Sequence, residues 1–177
     1  AWKWGMPVTG FIAATNINDV VPQYLQSGVF EPRPSVQTAS NAMDVGNPSN
    51  FERLEKVFGY DYMDMRAMVS GLSVTDEQTV QTIRTHYEQT GTFIDPHTAT
   101  GVYAAERYVK EQTPEVGRVV TLATAHPGKF GELVKQATGA QPELPPRLAA
   151  VLEREKQATQ IENTLGSLRS GLREILR

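Results

Sequence analysis

The alternation of short apolar runs with helical segments is the feature that most restricts what this chain can fold into. Residues 11–15 form an apolar run that polar residues close, and a helical pattern covers residues 20–28. Residues 35–39 give a second strand pattern, and residues 119–123 are apolar at both odd and even positions, as in a strand buried on both faces. Strands that alternate with helices predict the α/β class, with a mainly parallel sheet flanked by helices.

Capping signals indicate where the helices begin and end. Residues 49–52 and residues 75–78 match the capping-box pattern. Asp95 is a typical helix cap, and Pro96 after it is a typical first helical residue. Residues 93–94 are too short for more than a strand fragment. The predicted helices cover residues 20–28, about 50–58, 60–69, 75–91, 95–112 and about 127–138.

The C-terminal section is predicted to be helical and separate. A proline-rich linker at residues 142–146 predicts a division into an α/β body, residues 1–140, and a helical extension, residues 141–177. We expect one apolar stripe on the last helix to pack across the body of its own domain, since two more turns of repeat would be needed for a coiled coil. The stripe consists of Ile161, Leu165, Leu168, Leu172 and Ile175.

Composition excludes several classes of partner. The net charge is −3 with both signs interspersed, which gives no attraction for nucleic acid, and no apolar run approaches the length of a membrane span. The chain has no cysteine, and its 3 histidines lack a second ligand at helical spacing, so we predict no metal site. A cytoplasmic protein is expected. Because the chain begins at Ala1 without a methionine, we also expect it to be a piece of a longer protein.

Short polar side chains follow each predicted strand. These exits are residues 15–19, 40–44, 95–98 and 124–127. Carboxyl ends of parallel strands are where ligands bind in such sheets, so the four exits are candidates for one site on the same edge of the sheet. Since Asn, Asp, Ser and Thr are also the residues that cap helices, helix capping stays an alternative for each exit.

Five motifs in order carry a family resemblance over roughly residues 5–150. The chain resembles bacterial threonine synthases in these segments: FIAATNIND at residues 11–19, SNAMD at 40–44, PSNFER at 48–53, DPHTA at 95–99 and ATAHPGKF at 123–130.

The resemblance implies a fold-type-II pyridoxal-phosphate enzyme of threonine biosynthesis. Such an enzyme is a carbon–oxygen lyase that converts O-phosphohomoserine and water to threonine and phosphate. The lysine that holds the cofactor as a Schiff base, and the loop that binds the cofactor phosphate, have no counterpart among these 177 residues. We therefore expect a C-terminal fragment with no catalytic residue of its own. The fragment should be inactive without the N-terminal part of the same chain, should bind no cofactor alone, and should self-associate.

Site residues follow from the same resemblance. Thr124 matches the hydroxyl residue that meets the pyridine nitrogen of the cofactor, and a neutral hydroxyl leaves that nitrogen largely unprotonated. Five residues are candidate substrate contacts without individual roles: Asn16, Asp19, Asn50, Arg53 and His97. Arg53 suits a phosphate because its guanidinium group is planar, although an exposed helix arginine is the alternative.

Two other functions remain open. The chain could be a non-catalytic α/β interaction module derived from a pyridoxal-phosphate enzyme, or part of another fold-type-II lyase such as threonine dehydratase. The motifs at residues 95–99 and 123–130 speak against the dehydratase.

Overall fold

A computed structural model describes residues 2–111 and 117–176. The chain divides into two compact units, Ala1–Glu143 and Leu144–Arg177, and each is described by itself. No helix among the described residues is long and apolar enough to cross a membrane.

The first unit has two strands, six helices and three short 3₁₀ turns among its described residues. The strands are β1 (Phe11–Thr15) and β2 (Val69–Ser73), and the 3₁₀ turns are Trp2–Trp4, Asn41–Met43 and Pro127–Phe130. The helices are α1 (Val20–Ser27), α2 (Phe51–Val57), α3 (Tyr62–Met68), α4 (Asp76–Thr90), α5 (Pro96–Glu111) and α6 (Gly131–Thr138).

The two strands form a small parallel sheet. Phe11 pairs with Val69 and Thr15 pairs with Ser73, so both strands end at the same edge. Helix α1 packs against β2, helix α5 packs against β1, and α4 packs between α5 and α6. This mixed arrangement of helices and a parallel sheet confirms the predicted α/β class.

Most predicted helices form, because their signals are local. Thr75 and Gln78 exchange both bonds of a capping box, and Gly91 ends α4 in the left-handed conformation. The carboxylate of Asp95 accepts the backbone N–H of His97 at 3.0 Å, as an N-cap does. The capping box predicted at residues 49–52 is wrong, since Asn50 precedes α2 without a side-chain cap bond.

The strand predicted at residues 35–39 is wrong. Asn18 takes the place of a neighbouring strand, because its side chain accepts the N–H of Val36 at 2.8 Å and donates to the carbonyl of Val36 at 2.9 Å. The N–H of Thr38 bonds the carboxylate of Asp44 at 3.0 Å. These bonds from side chains stand where a strand would have backbone partners, so the segment is irregular and is not a strand.

The strand predicted at residues 119–123 is also wrong, as is the fragment at 93–94. Val120 and Leu122 are 72% and 79% exposed, and neither strand of the described residues pairs with this segment, so the apolar pattern is present without the ladder of a strand. Conversely, the strand β2 is not predicted by the sequence, and its first residue, Val69, falls at the end of the helix predicted over residues 60–69. The helix α3 stops at Met68, and the chain continues directly into the strand at Val69.

Among the described residues, two apolar clusters form the core of the first unit. The first joins α1, α2, α3 and β2, and its rings pack closely, with Phe30 stacked on Phe51 at 4.4 Å between ring centroids. The second joins α4, α5 and α6 around Ile83 and Val134. Burial, and then the charges of Glu55 and Tyr62, raise the pKa of the Tyr24 phenol in the first cluster.

The second unit contains α7 (Pro146–Leu152) and α8 (Leu165–Ile175). Thr164 caps α8 by accepting the N–H of Ser167 at 3.1 Å. The helix forms where the apolar stripe predicted it, apart from Ile161, which precedes it. The side chains of the stripe are exposed, and packing of this helix across its own domain stays a prediction.

Candidate functional site

Asn16 lies at the carboxyl end of β1 and joins this strand to residues 38–44. It is 1% exposed, and its amide nitrogen lies 2.8 Å from the hydroxyl of Thr38 and 2.8 Å from a carboxylate oxygen of Asp44. The same nitrogen lies 3.2 Å from the hydroxyl of Ser40. An amide group has only two hydrogens, so the two shortest contacts can use them fully. Its oxygen accepts the backbone N–H of Asn18 at 2.9 Å.

The loop of residues 36–44, which we call the exit loop, is anchored at three places. Asn16 and Asn18 hold it to the end of β1. The carboxylate of Asp76, at the start of α4, accepts the N–H of Ala39 at 3.1 Å. The N–H of Ala42 donates to Nε2 of His97 at 3.1 Å, which ties the loop to α5. Three of the four predicted exits therefore lie together.

His97 and Asp95 form a buried pair at the start of α5. Their side chains are 7% and 1% exposed, and Nδ1 of His97 lies 2.8 Å from Oδ1 of Asp95. The hydroxyl of Thr98 donates to the other oxygen of Asp95. The ring of Phe130 packs against the His97 ring, with centroids 4.9 Å apart.

Asp19 is engaged by a neighbouring arginine. Arg33 forms an ion pair with its carboxylate and also donates to the carbonyl of Ile17 at 3.2 Å. Gln23 donates to the same carboxylate at 3.1 Å. The structure thus neutralises the charge of Asp19.

The remaining candidates stand apart from this network. Asn50 and Arg53 are exposed at the start of α2, and Thr124 is exposed within the irregular segment that precedes the 3₁₀ turn Pro127–Phe130. None of the hydrogen bonds or ion pairs among the described residues joins them to Asn16, Asp19 or His97. Their place in one site with the exit loop stays a prediction.

Sequence reasoning missed four polar residues of this region. They are Arg33, Thr38, Asp44 and Asp76. Asp44 belongs to the motif at residues 40–44, so the motif itself was the available signal. The other three carry no local signal, because only the fold brings them to the ends of the strands. No group of three or more His, Asp or Glu side chains among the described residues could hold a metal ion.

The comparisons with known proteins agree with one another. Residues 98–170 match the family model described as threonine synthase, C-terminal. The threonine synthase of Haemophilus influenzae is 35% identical over 95% of this chain and 38% of its own length. That of Serratia marcescens is 38% identical over the same shares.

Solved structures give the same result. The crystal structure of threonine synthase from Escherichia coli has a TM-score of 0.80 and 34% identity, covering 97% of this chain and 39% of that one. The structure of threonine synthase with bound pyridoxal phosphate from Brucella melitensis has a TM-score of 0.77 and 31% identity, over 98% and 42%. The chain thus spans about 38% of the length of the curated relatives just named.

Proposed function

We propose that the chain belongs to the threonine synthase family, whose C-terminal part it matches, and that it is the section of a pyridoxal-phosphate lyase that borders the substrate. The complete enzyme would convert O-phosphohomoserine and water to threonine and phosphate in threonine biosynthesis. The single observation that carries this proposal is the match of 35% identity along 95% of the chain. A cytoplasmic location is proposed with it.

Thr124 is the residue proposed to meet the cofactor. Thr124 is exposed, and its hydroxyl takes part in none of the side-chain hydrogen bonds of the described residues, so the hydroxyl can donate to a ring nitrogen that carries no proton. The hydroxyl of Thr124 thus fits the cofactor at the pyridine nitrogen. Pyridoxal phosphate, when bound, supplies the electron sink of the reaction.

Arg53 and Asn50 are proposed as the direct polar contacts of the substrate. Both side chains are exposed, and the planar guanidinium of Arg53 can donate two parallel hydrogen bonds to a phosphate. The polar side-chain atoms of Asn16 and Asp19, in contrast, already bond to other residues of the protein. We propose that these two residues hold the ends of the strands and the exit loop in place.

The 177 residues are proposed to be inactive by themselves. No lysine here has the sequence context expected of the one that holds the cofactor, and the loop for the cofactor phosphate has no counterpart. The test is an assay of phosphate release from O-phosphohomoserine. We expect no release by the purified chain above a heat-killed control, and release together with threonine by the complete gene product.

Thr124 provides a variant for the same assay. In the complete gene product, Thr124→Val should weaken cofactor binding about five-fold, since one hydrogen bond contributes about 1 kcal/mol, whereas Thr124→Ser should retain it. Absorbance titration with pyridoxal phosphate measures the affinity. Equal affinities for the two variants would contradict the role of Thr124.

Other outcomes would favour the alternative functions. A complete gene product that neither binds pyridoxal phosphate nor releases phosphate would indicate a non-catalytic interaction module. Formation of 2-oxobutanoate from threonine, without activity on O-phosphohomoserine, would indicate a dehydratase.

A further inference from the structure

We propose that His97, oriented by Asp95, is a positioning residue that holds the exit loop against α5, and that it does not contact the substrate. The importance of this loop for turnover rests on the proposed function. The hydrogen bonds that define the role of His97 are independent of that function.

Both ring nitrogens of His97 are already occupied by the protein. Nε2 lies 3.1 Å from the backbone nitrogen of Ala42, which can only donate, so Nε2 must be the unprotonated acceptor. The proton therefore lies on Nδ1, which donates to Oδ1 of Asp95 at 2.8 Å. No ring N–H and no free lone pair is left for a substrate in this arrangement.

Asp95 is fixed in turn by the start of α5. Besides His97 Nδ1, its carboxylate accepts the backbone N–H of His97 at 3.0 Å, the N–H of Thr98 at 3.4 Å and the hydroxyl of Thr98. Asp95 is 1% exposed, so water cannot take the place of these donors. The carboxylate thereby sets both the tautomer and the direction of the imidazole ring.

The bond to Ala42 is what connects the exit loop to α5. It joins residues 55 apart in the chain and is the one hydrogen bond among the described residues between the turn Asn41–Met43 and α5. Directly after this turn comes Asp44, which accepts from Asn16. The groups that meet His97 from other elements are the Ala42 N–H and the uncharged ring of Phe130, while Asp95 is its charged partner.

Three substitutions of His97 test its two ring nitrogens separately. His97→Gln can place an oxygen near the position of Nε2 and so accept from Ala42. His97→Asn keeps a donor for Asp95 and leaves Ala42 without an acceptor, and His97→Phe removes both bonds but keeps a ring beside Phe130.

The first measurement uses the 177-residue chain. Nitrogen-15 spectra should show His97 in the Nδ1–H tautomer, and an Nε2–H tautomer would overturn the proposal. Amide exchange at Ala42 should be about five- to twelve-fold faster in His97→Asn than in His97→Gln, because one exchange-limiting hydrogen bond contributes about 1–1.5 kcal/mol. Equal exchange in these two variants would equally overturn it, whether or not His97→Phe folds.

The second measurement uses phosphate release by the complete gene product. If His97 positions the loop, the KM for O-phosphohomoserine rises together with the Ala42 exchange rate and recovers in His97→Gln. A KM that rises in variants whose Ala42 exchange is unchanged would instead indicate direct contact with the substrate. Absence of activity in the unsubstituted enzyme would remove the proposed function, while the tautomer and exchange results would still decide the role of His97.

Discussion

At the scale of single residues, buried polar side chains determine how the ends of the strands are arranged. Asn16 is the clearest case, because it is almost fully buried and its amide spans the distance between β1 and the exit loop. Thr38 donates to Asp44 at 2.7 Å while accepting from Asn16, so the three side chains satisfy one another. A network of this kind is stable only when every member is paired.

Asn16→Asp tests this network. The substitution replaces the donor that faces Asp44 by a second carboxylate, so we expect the free energy of unfolding at neutral pH to fall by roughly 2–4 kcal/mol. Urea unfolding measures the change. Asn50→Asp is the matched control at an exposed position, where the change should stay within about 0.5 kcal/mol. Equal effects at both positions would contradict a buried network around Asn16.

Tyr60 offers a second test at this scale. Its φ of 62° is in the left-handed region, which costs a bulky side chain roughly 1 kcal/mol, whereas asparagine adopts this conformation more readily. We therefore expect Tyr60→Asn to raise the melting temperature. At Gly91, where φ is 68° and a Cβ would meet nothing within 4 Å, Gly91→Ala should lower it for the same backbone reason. Shifts of the same sign in calorimetry would contradict this explanation.

At the scale of secondary-structure elements, close packing of α1 on β2 fixes the small sheet. A Cβ on Gly71 would lie 2.6 Å from Cα of Pro22 and 3.2 Å from Cδ1 of Leu25. These distances leave no room for a side chain, so the helix and the strand approach each other at the backbone. The glycine is therefore required by packing, since no positive φ is recorded for it.

Gly71→Ala should separate α1 from β2. We expect a loss of about 1–3 kcal/mol in unfolding free energy, as for other insertions into a packed interior. Denaturant unfolding followed by circular dichroism provides the measurement. Gly117→Ala serves as the control, because a Cβ there meets nothing within 4 Å. A neutral Gly71→Ala would mean that the helix can move away at no cost.

At the scale of the whole molecule, the chain exposes apolar side chains of the kind that is normally buried in a protein with a parallel sheet. Among the described residues the β1–β2 sheet has two strands, and the irregular segment 119–123 exposes Val120 and Leu122. Parallel sheets are usually larger and buried on both faces. We therefore propose that the chain associates with itself through this segment.

Light scattering over a range of concentrations tests that association. We expect a dimer with a dissociation constant on the order of micromolar, since ordering costs offset much of the apolar gain. Substituting Val120→Lys together with Leu122→Lys should abolish it, whereas Val29→Lys, at another exposed valine, should not. A chain that stays monomeric at every concentration would show that this surface is tolerated in water.

The sequence alone predicted most of the helices, because local contacts specify them, and it also contained the family motifs. Thr75 with Gln78, and Asp95 with Pro96, specify helix starts through contacts a few residues apart, and the motifs need only their order along the chain. Strand pairing is different, because a strand needs a partner distant in sequence. Only the tertiary structure decided that Val69 begins a strand beside Phe11, and that Asn18 takes the place of a ladder for residues 35–39. Only the tertiary structure likewise decided that both ring nitrogens of His97 are occupied, because its acceptor Nε2 meets an N–H from a loop far away in the sequence.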